Sequence, residues 1–373
     1  MTAPRIISFL PAATEMAYAL GLGDTLVGVS HECDFPPAAK KLPVVVKLVL
    51  PLEKKSLREI DVVVAERIGS GQSFYEMDES LLRELKPDLI LTQNLCQVCG
   101  PAGNEVTVAL KALSPKPEIV WMTPHSLEDI FQNVRDLGAA TGRSAQAEEL
   151  VANSRERLQK ISARTKNISR PKVFCLEWVD PYYCCGHWVP EMIELAGGVD
   201  ALGRKGVDSV RISWTDIAAW APEILIISPC GFCTEKAVKQ AEQLLHQPGW
   251  SDLPAVRNGR VYAVDANAYF ARPGPRMVDG VELLAHLIHP EIFEWNGPAD
   301  AFQKIQPSQL WPLPVRIKTC SKCGAKFSCG PEPGKSRCWC DELPPVPPGA
   351  LRNSDCLCPA CLAKAVERVL KTT

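Results

Sequence analysis

Two stretches of the chain follow the same plan: Leu85-Lys-Pro-Asp-Leu-Ile-Leu-Thr-Gln-Asn-Leu-Cys96 and Trp220-Ala-Pro-Glu-Ile-Leu-Ile-Ile-Ser-Pro-Cys230. Each leads from a predicted helix end, through a proline and an acidic residue, into a short apolar run that is typical of a buried β-strand. In each stretch the last cysteine begins a Cys-x-x-Cys pair, which Cys99 and Cys233 complete. This repetition predicts two related half-folds.

Further apolar runs alternate with helical patterns on both sides of these stretches. Strands are predicted at residues 6–10, 26–30, 88–92 and 118–122 in the first half, and at residues 172–178, 223–228 and 260–265 in the second. Strands that alternate with helices are typical of parallel sheets with helices on both faces. The sequence therefore predicts an α/β fold.

Two helix predictions need more than hydrophobic periodicity. Residues 60–65 are rich in β-branched side chains, yet Ser56 and Glu59 form a capping-box pattern, and Gly69 and Gly71 supply a helix end, so a helix is predicted. Residues 144–166 contain neither proline nor glycine. A helix of this length spans roughly 35 Å, which is enough for a rigid strut between two lobes.

The composition excludes several function classes. The 373-residue chain is 46% hydrophobic and 23% charged, and its formal net charge is −2. Its lysines and arginines are dispersed, so neither nucleic acid nor an anionic membrane is expected as a partner. No stretch approaches the roughly 20 apolar residues of a membrane span, so membrane insertion is not expected. The first 15 residues lack a signal-peptide pattern, and a cytoplasmic location is expected on that ground.

Cysteine- and histidine-bearing loops follow four of the predicted strands. Because loops converge on a ligand at the carboxyl ends of parallel strands, these residues are expected to face one another across a cleft: His31, Cys33, Gln93, Cys96, Cys99, Cys185, His187 and Cys230. Thiols and imidazoles in turns can ligate a soft metal or form a redox pair. Ordinary buried packing is the alternative, and it is favoured for Cys175 inside a predicted strand.

Aromatic residues and arginines cluster on the same loops. The expected ligand-binding members are Trp178, Tyr182, Trp188, Phe270 and Arg272. Large rigid rings suit a flat polycyclic ligand, and Arg272 and Arg276 could hold its anionic or amide substituents. For any single aromatic residue, packing in the core of a lobe is the alternative.

Five motifs carry a family resemblance over about residues 5–290. They are Ile7-Ser-Phe-Leu-Pro-Ala-Ala-Thr-Glu15, His31-Glu-Cys-Asp-Phe-Pro-Pro37, Thr92-Gln-Asn-Leu-Cys-Gln-Val-Cys99, Gly186-His-Trp-Val-Pro-Glu-Met192 and Arg272-Pro-Gly-Pro-Arg276. The chain resembles the cobalamin-binding substrate-binding proteins of the ABC-importer helical-backbone class. The resemblance implies two Rossmann-like lobes joined by one long helix, with a corrinoid held between the lobes and an importer or another delivery partner.

The expected organisation has five parts. Residues 1–123 and 169–295 form the two lobes, residues 124–168 form the helical segment between them, and residues 296–316 form a Pro-rich connector. Residues 317–373 form a cysteine-rich metal knuckle. Together with the missing export signal, this organisation favours corrinoid capture, storage or delivery in the cytoplasm.

The C-terminal segment concentrates half of the sixteen cysteines of the chain in 42 residues: Cys320, Cys323, Cys329, Cys338, Cys340, Cys356, Cys358 and Cys361. A segment this small needs an internal crosslink, and structural zinc supplies roughly 10–16 kcal/mol of folding free energy per site. Eight thiolates match two Cys₄ zinc sites, although the sequence leaves their pairing open. The Cys-Trp-Cys centre resembles the cysteine-rich CWC family, which implies metal binding. Disulfides and an iron–sulfur cluster are the alternatives.

The leading hypothesis for function is a binding protein without turnover that captures cobalamin or a related corrinoid in the cleft. The alternative is a thiol-dependent metallochaperone or redox protein that binds a metal ion or metal chelate through the cleft cysteines and histidines. A protein-interaction adaptor built around the knuckle is a third interpretation. The chain contains no phosphate loop, no Gly-x-Ser-x-Gly motif and no pair of acid/base carboxylates in a recognised pattern.

Overall fold

The computed structural model describes residues 3–50, 52, 55–94, 110–111, 113–305, 316–329 and 357–372. Its contacts divide the chain into two compact units, Met1–Lys304 and Ile305–Thr373. None of the helices in these described ranges combines the length and apolarity that crossing a bilayer requires.

The first half of unit Met1–Lys304 is built on a six-stranded sheet with the order β4-β3-β2-β1-β5-β6. Its strands are β1 Ile6–Ser8, β2 Leu26–Ser30, β3 Val44–Leu48, β4 Tyr75–Met77, β5 Leu89–Thr92 and β6 Glu118–Trp121. Every pair is parallel except β3 with β4. Helices α1 Pro11–Ala19, α2 Leu57–Ser70 and α3 Glu79–Leu85 lie between these strands along the chain. This half is the N-lobe.

The second half, the C-lobe, contains a five-stranded sheet with the order β13-β12-β11-β7-β8. Strands β7, β11 and β12 are parallel, whereas β8 and β13 pair antiparallel at the two edges. The strands are β7 Val173–Val179, β8 Tyr182–Cys184, β11 Ile224–Ile227, β12 Val261–Val264 and β13 Phe302–Lys304, and a small separate sheet pairs β9 Gly186–His187 with β10 Arg204–Lys205. Strand β13 lies within the segment that was expected to be connector.

Helices alternate with the strands of the C-lobe along the chain. They are α6 Val189–Leu195, α7 Trp214–Trp220, α8 Thr234–Ala241, α9 Pro254–Arg257, α10 Ala266–Tyr269 and α11 Met277–Ile288, which follow the two helices α4 Leu127–Ala140 and α5 Ser144–Thr165. The predicted α/β class is confirmed, with largely parallel sheets flanked by helices.

The long helix between the lobes forms as predicted. Helix α5 has 22 residues and buries Val151, Leu158 and Ile161. These side chains belong to one apolar cluster that includes Ile6 of the N-lobe and Val173 of the C-lobe. The helix therefore packs into an apolar core that contains residues of both lobes.

Helix α2 also forms as predicted from its cap. The Ser56 side chain accepts from the Glu59 backbone, the Glu59 carboxylate accepts from the Ser56 backbone, and Gly71 ends the helix with a φ of 66°. A positive φ favours glycine at this position. Leu57 is the only fully buried residue of α2, so most of this helix lies on the surface of the N-lobe.

Unit Ile305–Thr373 contains a hairpin and a helix among its described residues. Strands β14 Arg316–Thr319 and β15 Lys326–Cys329 pair antiparallel, and helix α12 spans Pro359–Thr372. The turn of the hairpin carries Cys320 and Cys323, and Gly324 takes a φ of 72° there. Cys358 directly precedes α12, and Cys361 lies in its first turn.

Candidate functional site

The two lobes meet at a first polar contact between helix α2 and the end of strand β7. The Arg58 guanidinium makes hydrogen bonds of 2.8–3.2 Å to both carboxylate oxygens of Asp180. Asp61 accepts hydrogen bonds from Tyr183 Oη at 3.1 Å and from Arg211 Nη2 at 2.5 Å. This exposed helix of the N-lobe is therefore held against the C-lobe by charged and polar side chains.

A second contact joins the loop after β12 to the N-lobe. Arg276 donates to both carboxylate oxygens of Glu15, at 2.8 and 2.5 Å, and its guanidinium carbon lies 4.1 Å from the centre of the Phe35 ring. Arg272 binds Asp34 and the backbone oxygen of Glu32. Burial raises the pKa of the Glu15 carboxyl, and the Arg276 hydrogen bond and charge offset only part of that effect. Arg272 and Arg276, which were expected to bind substituents of the ligand, are thus paired with carboxylates of the opposite lobe.

Half-buried aromatic side chains of the C-lobe border the first contact. We call Trp178, Tyr182, Trp214 and Phe232 the aromatic shelf. The ring centres of Trp178 and Phe232 are 5.8 Å apart, and those of Tyr182 and Trp214 are 5.7 Å apart. Trp178 Nε1 donates to the Leu57 backbone oxygen of the N-lobe at 3.3 Å. The shelf therefore lies along the line where the lobes meet.

Two members of the shelf were missed in the sequence. Phe232 stands between Cys230 and Cys233 in the loop after β11, and its place in that loop was an available signal. Trp214 is the first residue of α7, where helix patterning gave no reason to select it. Cys230 is half-buried beside the shelf, since its backbone nitrogen donates to the Glu177 oxygen at 3.1 Å.

Three residues expected around the ligand lie in the core instead. Cys185, Trp188 and Phe270 are 1%, 5% and 2% exposed and belong to the main apolar cluster. Trp188 directly precedes α6, a helix packed into that core, and its Nε1 donates to the Phe270 oxygen at 2.8 Å. Cys185 lies beside Cys175, with its backbone nitrogen donating to the Cys175 oxygen at 3.3 Å. Ordinary packing, the open alternative, describes these residues.

The remaining predicted residues are dispersed. Cys33 is 3% exposed, and burial raises the pKa of its thiol to about 11, so the uncharged thiol prevails at neutral pH. His31 is exposed near Tyr75, and Gln93 is buried at the end of β5. His187 is half-buried, and burial lowers its pKa. Cys96 and Cys99 lie outside the described residues.

A separate groove of about 800 Å³ lies between helices α5 and α11 and residues 292–298. Both charged and aromatic side chains line it, and Arg157 is paired there with Asp279 and Glu282 at 2.5 and 2.7 Å. None of the aromatic shelf lines this groove. Because none of the described residues predicted to bind the ligand lines this groove, the line between the lobes is the better candidate site.

The sequence profile described as "Periplasmic binding protein" matches residues 6–268. The chain belongs to the periplasmic binding protein family. Members of this family bind a ligand between two lobes and serve transport without catalysing a reaction, so the prediction that this chain is not an enzyme is confirmed. A second profile, "Cysteine-rich CWC", matches residues 320–363. The resemblance to the CWC family is therefore confirmed, and the relatives described next confirm the resemblance to the vitamin B12-binding proteins.

Several relatives show how far this similarity extends. The chain is 28% identical over 282 residues to the vitamin B12-binding protein of Vibrio cholerae. The aligned region covers 75% of this chain and 87% of the relative. It is 28% identical to an uncharacterized ABC transporter substrate-binding lipoprotein of Bacillus subtilis, covering 78% of this chain and 81% of the relative. The crystal structure of the periplasmic vitamin B12-binding protein BtuF of Vibrio cholerae matches 77% of this chain and 97% of its own at 26% identity, with a TM-score of 0.53.

A periplasmic heme-binding protein from Pseudomonas aeruginosa shares the fold at 20% identity, with a TM-score of 0.62 over 82% of this chain and 99% of its own. The fold therefore extends to proteins with different ligands. The comparisons establish a family of transport proteins that bind small ligands, and they leave the ligand of this chain to be argued from its own residues.

The expected cytoplasmic location is wrong. The Bacillus relative is a lipoprotein, and the Vibrio relative with a solved structure is periplasmic. The expectation rested on the missing signal-peptide pattern in the first 15 residues and on the absence of a long apolar stretch, and the compartment of the relatives contradicts it. A reducing compartment can therefore no longer be used to favour zinc over disulfides at the C-terminal cysteines.

The C-terminal unit contains a second candidate site, made of thiols. Four sulfur atoms all lie within 4.8 Å of one another, those of Cys320, Cys323, Cys358 and Cys361. A tetrahedral ion with metal–sulfur bonds of about 2.3 Å places its sulfurs roughly 3.8 Å apart, so this set fits a Cys₄ metal site. Backbone hydrogen bonds from Cys358 and Cys323 help to lower the pKa of the Cys320 thiol to about 6.

This arrangement answers part of the pairing question that the sequence left open. The Cys-x-x-Cys of the hairpin turn joins the Cys-x-x-Cys at the start of α12. The side chains of Cys329, Cys338, Cys340 and Cys356 lie outside the described residues, so the expected second site stays a prediction.

Proposed function

We propose that unit Met1–Lys304 captures cobalamin or a related corrinoid between its lobes and delivers it to a partner, an importer of the kind that its relatives serve. The observation that carries this proposal is the aromatic shelf, which offers half-buried ring faces along the line where the lobes meet. Rings in this setting suit a large planar ligand. The similarity to vitamin B12-binding proteins over 87% of their length supports the same ligand.

The charges beside the shelf favour a corrinoid over a porphyrin. The arginines that flank the line between the lobes are paired with carboxylates, Arg58 with Asp180, Arg211 with Asp61, Arg272 with Asp34 and Arg276 with Glu15. Haem carries two carboxylates that need cationic partners, whereas the side chains of cobalamin are mainly neutral amides. Freeing an arginine for haem would break an inter-lobe ion pair, and amides require no such exchange.

The shelf is tested by removing its rings. The double change Trp178→Ala and Phe232→Ala should weaken binding of cyanocobalamin at least about tenfold, because burial of each ring contributes roughly 1.5–3 kcal/mol. The matched control is Trp121→Ala, whose ring is 42% exposed on strand β6. Unchanged affinity in the double variant, with the fold intact by circular dichroism, would remove the shelf from the site.

The thiol-dependent alternative has less support from the described residues. Cys33 and Cys185 are buried and burial raises the pKa of both thiols, which leaves few thiolates to bind a soft metal at neutral pH. Cys230 and Cys233 are the more accessible pair. A protein that binds a soft metal ion but no corrinoid, and loses the metal in Cys230→Ser, would favour this alternative.

For the C-terminal unit we propose that Cys320, Cys323, Cys358 and Cys361 hold Zn(II). Four thiolates in a tetrahedron are the preferred structural zinc site, and iron–sulfur clusters use the same ligands. The proposal rests on the closeness of the four sulfurs. When bound, the ion would crosslink the hairpin to α12 and stabilise a segment too small to bury a large core.

A further inference from the structure

Two histidines, one that follows the last strand of the N-lobe sheet and one on strand β9 of the C-lobe, have their imidazole rings close together. His125 lies in the loop between β6 and α4, directly before the Ser126 cap. His187 is the last residue of β9 in the C-lobe. The centres of the two imidazole rings are 5.9 Å apart, and their planes are tilted by 33°. Neither ring contributes to the inter-lobe ion pairs described above.

The backbone holds His187 in an unfavourable conformation. Its φ is 52°, a left-handed value that is uncommon outside glycine, although histidine adopts it more often than most residues do. Its nitrogen donates to the Val207 oxygen at 2.7 Å, and its oxygen accepts from Gly206 at 2.8 Å. A Cβ at the neighbouring Gly186 would lie 2.5 Å from the Val207 oxygen, so the backbone of residues 186–187 is in direct contact with that of residues 206–207. Strain held in this way by surrounding structure is common at functional sites.

Asp208, which directly follows Val207, favours one tautomer of His187. Its Oδ1 lies 3.0 Å from His187 Nε2. A neutral imidazole that donates from Nε2 to a carboxylate carries its lone pair on Nδ1. Histidines that ligate metal ions are commonly oriented by a carboxylate in this way. His187 is therefore prepared as a ligand before any ion arrives.

We propose that His125 and His187 bind a divalent transition-metal ion between the lobes, with Asp208 orienting His187. Imidazole suits Zn²⁺, Ni²⁺ and Cu²⁺. An ion about 2.1 Å from a ring nitrogen lies roughly 3.2 Å from the ring centre, so two ligating rings can have centres up to about 6.4 Å apart. The observed 5.9 Å falls within that limit. Water would complete the coordination.

An ion at this place has a consequence for the lobes. It would connect the loop before α4 to strand β9 and so add a crosslink between the N-lobe and the C-lobe. Binding to the folded state alone stabilises that state in proportion to the logarithm of ion concentration. This site is independent of the corrinoid and of the thiols in the C-terminal unit.

The test is a calorimetric titration of Ni²⁺ into the full-length chain. The chain is first loaded with zinc for the C-terminal thiols and then washed with a weak chelator that removes zinc from imidazole sites but not from a Cys₄ site. The wild-type protein should bind one Ni²⁺ ion and melt at a higher temperature with it. His125→Ala and His187→Asn should each weaken that event at least about tenfold. Asparagine is chosen because it tolerates the left-handed backbone. His246→Ala, which removes an exposed imidazole elsewhere, should change nothing.

A second variant keeps the proposal testable if His187→Asn fails to fold. Asp208→Ala alters a side chain that is 81% exposed and should weaken Ni²⁺ binding about tenfold without unfolding the protein. Wild-type affinity in both His125→Ala and Asp208→Ala would overturn the proposal. So would an equal loss in His246→Ala, since that result would mean unspecific binding to surface histidines.

Discussion

Arg276 and Glu15, which are 261 residues apart in the chain, join the two lobes through two hydrogen bonds of 2.8 and 2.5 Å. Only 17% of the Arg276 side chain and 3% of the Glu15 side chain are exposed. The pair is therefore a buried link between the first helix of the N-lobe and the start of α11 in the C-lobe.

Breaking this pair should be costly. Arg276→Ala leaves the Glu15 carboxylate buried without its partner and should lower the free energy of unfolding by about 3–5 kcal/mol. The double variant Glu15→Gln with Arg276→Met should lose less than Arg276→Ala, because no charge stays buried. Urea denaturation measures both. The control is Arg58→Met, whose side chain is 71% exposed and should cost at most about 1 kcal/mol. Equal losses in the single and double variants would contradict a buried ion pair.

Asp200 should make stability depend on pH. Its carboxylate accepts from the backbone of Leu202 and Gly203, and burial raises its pKa to about 6. The unfolded value is about 3.9, so the folded state binds more protons between these pH values. The stability from this group is full below about pH 4 and is lost as pH rises through 6, with a slope of at most about 1.4 kcal/mol per pH unit.

The change Asp200→Asn should remove that slope and raise stability relative to wild type above pH 6. Thermal melts at a series of pH values measure it. Asp252→Asn, at an exposed carboxylate of the same lobe, should keep the wild-type slope. An Asp200→Asn protein whose stability still falls as steeply would place the titrating group elsewhere.

The cysteine thiols of unit Met1–Lys304 should be alkylated in order of their exposure, the most exposed first. In native protein at about pH 7.5, iodoacetamide should label the exposed Cys233 and leave Cys33 and Cys185 unlabelled, because buried thiols with raised pKa values carry few thiolates. Mass spectrometry of the peptides measures the order. Labelling of Cys33 as fast as Cys233 would instead support a reactive thiol in the cleft.

The C-terminal unit should carry zinc in the full-length chain. We expect at least one Zn²⁺ per chain, loss of one ion in Cys358→Ser, and no loss in Cys230→Ser, since Cys230 belongs to the other unit. Elemental analysis and a thiol count in denaturant measure this. A metal-free protein with Cys320, Cys323, Cys358 and Cys361 in disulfides would contradict this prediction. Disulfides are a real alternative because the expected cytoplasmic location was wrong.

Local signals predicted much of this fold. The capping box of Ser56 and Glu59 identified helix α2 against its β-branched content, and the absence of proline and glycine identified α5. Both depend on residues close together in sequence, where propensity and caps act directly. The two related stretches around residues 85–96 and 220–230 placed strands β5 and β11 in separate lobes.

The site was harder to predict, for a physical reason. Trp188, Phe270 and Cys185 stand in loops after strands, as ligand-binding residues do, yet tertiary packing buries them. Arg272 and Arg276 could be selected as anion-binding residues, but their carboxylate partners Asp34 and Glu15 are more than 230 residues away. Burial and pairing across such separations are properties of the folded chain, and no local pattern contains them.

The central claim is that unit Met1–Lys304 binds a corrinoid between its lobes. Calorimetric titration of the full-length chain with cyanocobalamin, and separately with haem, tests it most directly. We predict that one equivalent of cyanocobalamin binds at least about tenfold more tightly than haem, since haem would have to displace an inter-lobe carboxylate from its arginine. Haem bound as tightly as cyanocobalamin, or no corrinoid bound by a correctly folded protein, would contradict it.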